Sequence, residues 1–167
     1  MSKQIVVTVL GTDRAGIVGE LAEKVSHAGG NWLESRMAEL GGHFAGVLRL
    51  EATDEQLPGL ENSLRAIEGL EVTLRSGEAV AEPDGERVSF VVVAQDRPGI
   101  VQEISQVALA AGANVEELET GTTSAAMSAE AHFVARFVVR LGEAVSAEEL
   151  QENLESLADD LMVDFED

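Results

Sequence analysis

The sequence predicts an α+β protein built from two tandem β-α-β-β-α-β units, each an antiparallel sheet carrying both helices on one face. Three observations predict it. Residues 11–31, GTDRAGIVGELAEKVSHAGGN, return as residues 94–114, AQDRPGIVQEISQVALAAGAN. Further on, at a longer offset, Arg49-Leu50 align with Arg140-Leu141, Leu70 with Leu161 and Val72 with Val163. Agreement on both sides of an insertion marks a duplication, and a repeat this long means two domains rather than a solenoid. Finally, both copies alternate strand-like and helix-like hydrophobic periods in the same order.

Each unit opens on an apolar or alternating run, residues 5–10 and 88–94, read as a strand. A helix follows, with Ile17, Val18, Leu21 and Val25 on one face, answered by Ile100, Val101, Ile104 and Val107. Gly29 and Gly112 end these helices, because glycine enters the left-handed C-cap conformation without a Cβ penalty. Two strands come next, in the first copy near residues 32–39 and 43–52, joined by a turn at Gly41-Gly42. The second helix carries Leu57, Leu60, Leu64 and Ile67, matched by Leu150, Leu154 and Leu157, and Pro58 suits only its first turn. Residues 70–75 and 161–165 close the units as strands. The predicted organisation is a unit over 1–76, a linker over 77–86 rich in Gly, Pro and charge, and a unit over 87–167. This is the ferredoxin-like plan twice over. Each sheet keeps one face free of helices, together with edge strands, so contact between copies and a homodimer are expected.

Composition narrows the function. The 167 residues include no cysteine, which excludes a disulfide framework, a thiol nucleophile and cysteine-ligated zinc. No apolar run approaches a bilayer span and the N-terminus lacks a signal-peptide layout, so a cytoplasmic protein without membrane contact is expected. Eleven basic residues face 31 acidic ones, a net charge of −20, which argues against direct nucleic-acid binding. The imbalance is uneven: residues 1–80 hold 7 basic and 12 acidic groups, net −5, and residues 81–167 hold 4 and 19, net −15. The acidic half reads either as solvated helix faces or as a surface offered to a basic protein partner.

The repeated turn is the candidate site. Asp13 and Asp96 stand where the first strand of each unit gives way to its helix. They are expected to cap it by accepting from the N–H of Gly16 and Gly99. Pro98 fits the same opening turn. Free N–H groups at a helix start attract a carboxylate, glycine admits a ligand close to the backbone, and the aspartate can hold an ammonium group. Together they describe a receptor for a free amino acid. Asn31 and Asn114, at the start of the next strand, add a donor and an acceptor or simply shape the turn.

The segments DRAGIVGELAEKVSHAGGN and DRPGIVQEISQVALAAGAN resemble the ACT domain, a ferredoxin-like regulatory module that binds amino acids. The resemblance covers nearly the whole chain as two copies, the first departing at Ala15, where proline is usual. It implies ligand contacts from Asp13, Gly16, Ile17 and Asn31, and from Asp96, Gly99, Ile100 and Asn114. A pair of such domains with no enzyme attached, with residues 31–50 and the Met127 loop, resembles the glycine cleavage system repressor group. That implies a non-catalytic amino-acid sensor, with glycine or serine as ligand, acting on a separate DNA-binding transcription activator by protein contact. No cofactor and no metal are implied.

Other features carry less. Residues 120–132, TGTTSAAMSAEAH, hold the extra length of the second copy and are expected to form a small hydroxyl-rich loop. His27, His43 and His132 have no metal-ligand spacing. Trp32 reads as core or interface filler. The adjacent pairs Glu116-Glu117 and Glu148-Glu149 diverge on regular structure and make no acid/base couple. Two alternatives stand beside the sensor: a structural adaptor that has lost its ligand, and a small acylphosphatase-like hydrolase using Arg14 with Asn31.

Overall fold

The computed structural model describes residues 1–77, 81–124 and 130–166. The chain divides into Met1–Ala81 and Glu82–Asp167. The first unit runs β1 (Ser2–Thr12), α1 (Ile17–His27), β2 (Asn31–Leu40), β3 (His43–Thr53), α2 (Leu57–Arg65) and β4 (Leu70–Ser76). The second runs β5 (Arg87–Gln95), α3 (Ile100–Ala110), β6 (Asn114–Ser124), β7 (Ala131–Arg140), α4 (Ala147–Glu155) and β8 (Met162–Glu166). Strand orders are β2-β3-β1-β4 and β6-β7-β5-β8, with every pairing antiparallel. This is the predicted ferredoxin-like order, in which each helix connects strands that are not neighbours.

Period-two burial explains the layers. In β1 the side chains of Ile5, Val7 and Val9 are buried and pack with Leu48 and Leu50 of β3, Leu21 and Val25 of α1, and Leu60 and Leu64 of α2. The second unit repeats this with Phe90, Val92 and Ala94 under Ile104, Leu150 and Leu154. Its core is centred on Phe90, which stacks on Phe137 at 5.1 Å and touches Phe165 at 5.4 Å. Trp32 is half-buried and packs against the first core. At the β2–β3 hairpin Leu40 pairs with His43 around Gly41 and Gly42, whose φ values of 60° and 81° are those of a tight two-residue turn. Gly11 has a different reason to be glycine: a Cβ there would lie 2.1 Å from the Gly69 carbonyl oxygen.

Several local expectations need correction. Val18 is 48% exposed, because α1 buries Ile17, Leu21 and Val25, and Val18 falls to the edge of that stripe. In α3 the buried residue of the last turn is Ala108, and Val107 is only half-buried. Ile67 and Leu157 pack from turns just beyond the ends of α2 and α4 rather than from the helices themselves. Residues 120–124 are not loop: β6 continues through Thr120, Gly121, Thr122, Thr123 and Ser124, paired with Ala135, Val134, Phe133, His132 and Ala131 of β7. The alternating ladder outweighs the hydroxyl-rich composition, since threonine is a good strand residue. Met127 lies outside the described residues.

At the other end of the second sheet a β-bulge between Val115 and Glu117 turns Glu116 toward two arginines. Arg140 Nε donates to Glu116 at 2.7 Å and Arg87 Nε at 3.0 Å, while Arg87 also reaches Glu117 at 2.7 Å. Arg140 further donates to the Gly85 carbonyl at 3.1 Å, which ties the approach to β5 onto β7. The hydrogen bond from Arg140, and then that from Arg87, hold the Glu116 carboxyl below its ordinary value of 4.5. A depressed carboxylate stabilises the fold above its unfolded pKa and loses that contribution as pH falls through the folded one. Glu116→Gln is therefore expected to be destabilising at pH 7 and to cost progressively less below about pH 4.5. Urea melts of both proteins across this range check it, and a cost independent of pH would contradict it.

Candidate functional site

β1 ends at Thr12, paired with His43, and the Asp13 N–H donates to the Gly42 carbonyl at 2.9 Å. The chain then turns through Ala15 into Gly16, whose φ of 87° is left-handed and unfavourable for any residue with a Cβ. The first helical bond runs from the Glu20 N–H to the Gly16 carbonyl at 2.9 Å, so Gly16 itself is the N-cap of α1. The second unit reproduces this: the Asp96 N–H donates to the Ala131 carbonyl at 3.2 Å, Gly99 has φ 87°, and the Glu103 N–H bonds to the Gly99 carbonyl at 3.0 Å.

The capping role expected of Asp13 and Asp96 is not made. Both helices begin at a glycine with no side-chain cap, and both aspartates are exposed. The N-cap position is held by glycine, which has no side-chain acceptor, and the aspartate lies three residues before it. The orphan N–H groups of the first turn are left available at the positive end of the helix dipole. The space beside Gly16 is open: a Cβ placed there would meet nothing within 4 Å, and at Gly99 only Glu103 Oε1 at 4.0 Å.

A glutamate in the first turn of the following helix holds the arginine of each motif. Arg14 donates to Glu20 at 2.5 Å and to the Glu68 carbonyl at 3.5 Å. Arg97 makes a bidentate pair with Glu103 at 2.7 and 2.6 Å. The Glu103 hydrogen bond raises the pKa of Arg97, and the same bond lowers that of Glu103. The side chains remain 35% and 39% exposed, so this is a rim contact rather than a buried ion pair. With its guanidinium already matched, each turn presents uncompensated negative charge at Asp13 or Asp96. Thr12, Asp13, Arg14, Glu20, Glu68 and Gly69 line a cavity of about 520 Å³ at the first turn. Such a rim favours an ammonium group, while the free helix N–H groups supply the donors for a carboxylate.

The remaining predicted residues sit elsewhere. Ile17 and Ile100 are 2% and 3% exposed, their side chains in the cores, so only their backbone N–H groups belong to the turn. Asn31 pairs with Glu51, which pairs with Gln4, at the end of the sheet opposite Thr12. Eight residues of β1 separate the two levels, about 26 Å of strand. Asn114 is likewise registered on Arg140 and Arg87, far from Gln95 and Asp96. Within one unit the turn and the asparagine therefore cannot touch one small ligand, and the Arg14–Asn31 pair that acyl phosphate hydrolysis would require is not assembled. The Arg–Glu clamp was the element that sequence reasoning missed. Its signal was there, as a glutamate six residues after the arginine in both copies. Among the described residues no group of three His, Asp or Glu is placed to hold a metal ion.

Two units of this topology, each with the same left-handed glycine turn, define a tandem ACT fold. Residues 3–75 match the ACT domain family model. The chain is 29% identical over 126 residues to the glycine cleavage system transcriptional repressor of Escherichia coli, and equally to that of Shigella flexneri. These matches cover 72% of this chain and 66% of the relatives, so the chain spans just under two thirds of their length. Among solved structures, an unknown protein from Galdieria sulphuraria superposes with a TM-score of 0.83 at 27% identity, covering 99% of this chain and 98% of that one. A crystal structure assigned to a glycine cleavage system transcriptional repressor superposes at 0.70 with 22% identity, covering 99% and 97%, and shows the shared fold.

Proposed function

We propose that this chain is a non-catalytic regulatory protein that senses a small amino acid and acts on a transcription regulator of glycine metabolism by protein contact. The observation that carries this reading is the pair of matching turns. Each sets an exposed aspartate and a left-handed glycine beside uncapped helix N–H groups, the two charges a zwitterion needs. The likeness to the Escherichia coli glycine cleavage system transcriptional repressor supports the metabolic context, and glycine or serine is the ligand we propose. The net charge of −20 supports regulation through a partner rather than by direct contact with DNA. Strands β2, β4, β6 and β8 are the edges of their own sheets, which supports the expectation of a homodimer.

Isothermal calorimetry of the full chain against the twenty amino acids tests the sensing step. Glycine or serine is expected to bind, and a bound ligand at a hundred times its Kd should raise stability by about 2.7 kcal/mol. No heat and no thermal shift with any amino acid at millimolar concentration would remove the reading.

A further inference from the structure

A cavity away from the repeated turns lies between α3 and α4 of the second unit. It measures about 680 Å³, with a floor of Val107, Ala110, Ala111, Val145 and Leu157. Glu149 and Glu152 stand on its α4 side. Small side chains make the hollow: two alanines end α3 where the facing helix presents no bulky apolar residue outside its core stripe. We propose that this groove docks a basic amphipathic segment of a protein partner, its apolar side chains on the floor and its Lys or Arg on the α4 carboxylates.

The duplication supplies the argument. With α1 aligned on α3 and α2 on α4, as the buried Leu60 and Leu64 against Leu150 and Leu154 require, Val107 corresponds to Lys24, Ala110 to His27, Glu149 to Gly59 and Glu152 to Asn62. The first unit thus carries two basic residues on the α1 side of this surface, where His27 faces Glu23 at 3.8 Å, and no acid at the two α2 positions. The second unit has replaced both basic residues by apolar ones and gained both acids.

No cation of the second unit takes their place. Arg87 and Arg140 are bound to Glu116, Arg97 to Glu103 and Arg136 to Glu166, and no Lys, Arg or His follows Arg140. Glu148, Glu149, Glu152 and Glu155 therefore crowd one short helix without a positive neighbour on it. Like charges at this spacing repel, and a partner that brings cations relieves the repulsion as it buries the apolar floor. The surface thus asks for what the first unit carries internally. Acid alone would attract any cation; the apolar floor selects one that also carries hydrophobic side chains.

This names the surface and the partner chemistry that the regulatory reading needs, and its test uses no amino acid, so the two can fail separately. The probe is a fluorescent helical peptide of about 18 residues, five turns, with leucine on one face and lysine on the other. A second peptide keeps the lysines and replaces leucine by serine. Binding to the full chain is read by anisotropy. Ala110→Lys and Glu152→Lys, both at exposed positions, are each expected to weaken the Leu/Lys peptide about tenfold or more, a loss of about 1.4 kcal/mol per decade. Glu119→Lys, which makes the same charge change as Glu152→Lys on strand β6, is expected to change it by less than about twofold. The Ser/Lys peptide should bind at least about tenfold more weakly than its Leu counterpart. Equal weakening by Glu119→Lys, equal affinity for the two peptides, or full affinity in both groove variants would overturn the proposal. Thermal melts of each variant confirm that the fold is intact.

Discussion

Phe137→Ala is expected to lower the stability of the second unit by about 3–5 kcal/mol, the largest single-site effect in the chain. Phe137 is fully buried on β7 and lies nearly parallel to Phe90, 5.1 Å between centroids with 10° between the planes. Its removal takes away the transfer free energy of a benzyl group, a stacking contact and the support under α4, and it leaves a cavity. Leu154 and Leu150 are anchored in the same core, and rigid sheet backbone beneath them limits collapse into the space. The measurement is a urea melt followed by far-UV circular dichroism, with the fluorescence of Trp32, the sole tryptophan, as a reporter for the first unit. The circular dichroism transition should move to lower urea. Trp32 should hold its midpoint if the first core, which is built from its own residues, unfolds by itself. A loss below about 1 kcal/mol would mean that the Phe90–Phe137 stack is not a packing centre.

Asp96→Asn is expected to weaken the bound amino acid by about thirtyfold, or about 2 kcal/mol, while leaving the melting temperature nearly unchanged. The reason is the Arg–Glu clamp. Because Glu103 already satisfies Arg97 through two hydrogen bonds, the guanidinium cannot neutralise Asp96, which stays free for an ammonium group. Asp96 is exposed and caps nothing, so removing its charge should cost little stability. Asp13→Asn makes the same comparison at the first turn, where alanine replaces proline before Gly16 and the turn is less rigid. Calorimetry on the two variants separates the turns. If Asp96→Asn lost stability but kept affinity, the residue would be structural.

Much of this molecule is legible in its sequence. The repeated DR-x-GI segment, the change of offset between copies and the alternating apolar runs lead directly to two units with the observed strand order. These are local signals: a hydrophobic period marks each element, and a duplicated pattern says that both halves solve the same packing problem. Gly41-Gly42 was readable for the same reason, since left-handed pairs of glycine close tight hairpins. The hydroxyl-rich stretch after Glu119 was misleading because composition reports average habit, whereas the β6–β7 ladder satisfies each backbone group in turn.

The site divides differently. Sequence alone places Asp13, Gly16, Asp96 and Gly99 in a turn before a helix, and the structure keeps them there. Only the tertiary structure shows that the aspartates do not cap, because each helix starts three residues further on, with a glycine at the N-cap. Only the register shows Asn31 and Asn114 at the far end of each sheet, since α1 or α3 runs the length of the unit between the turn and the next strand. The order of elements follows from short-range periodicity, which one strand or helix can encode within itself. Which residues meet depends on register and on where each helix starts, and these are settled only when the elements pack.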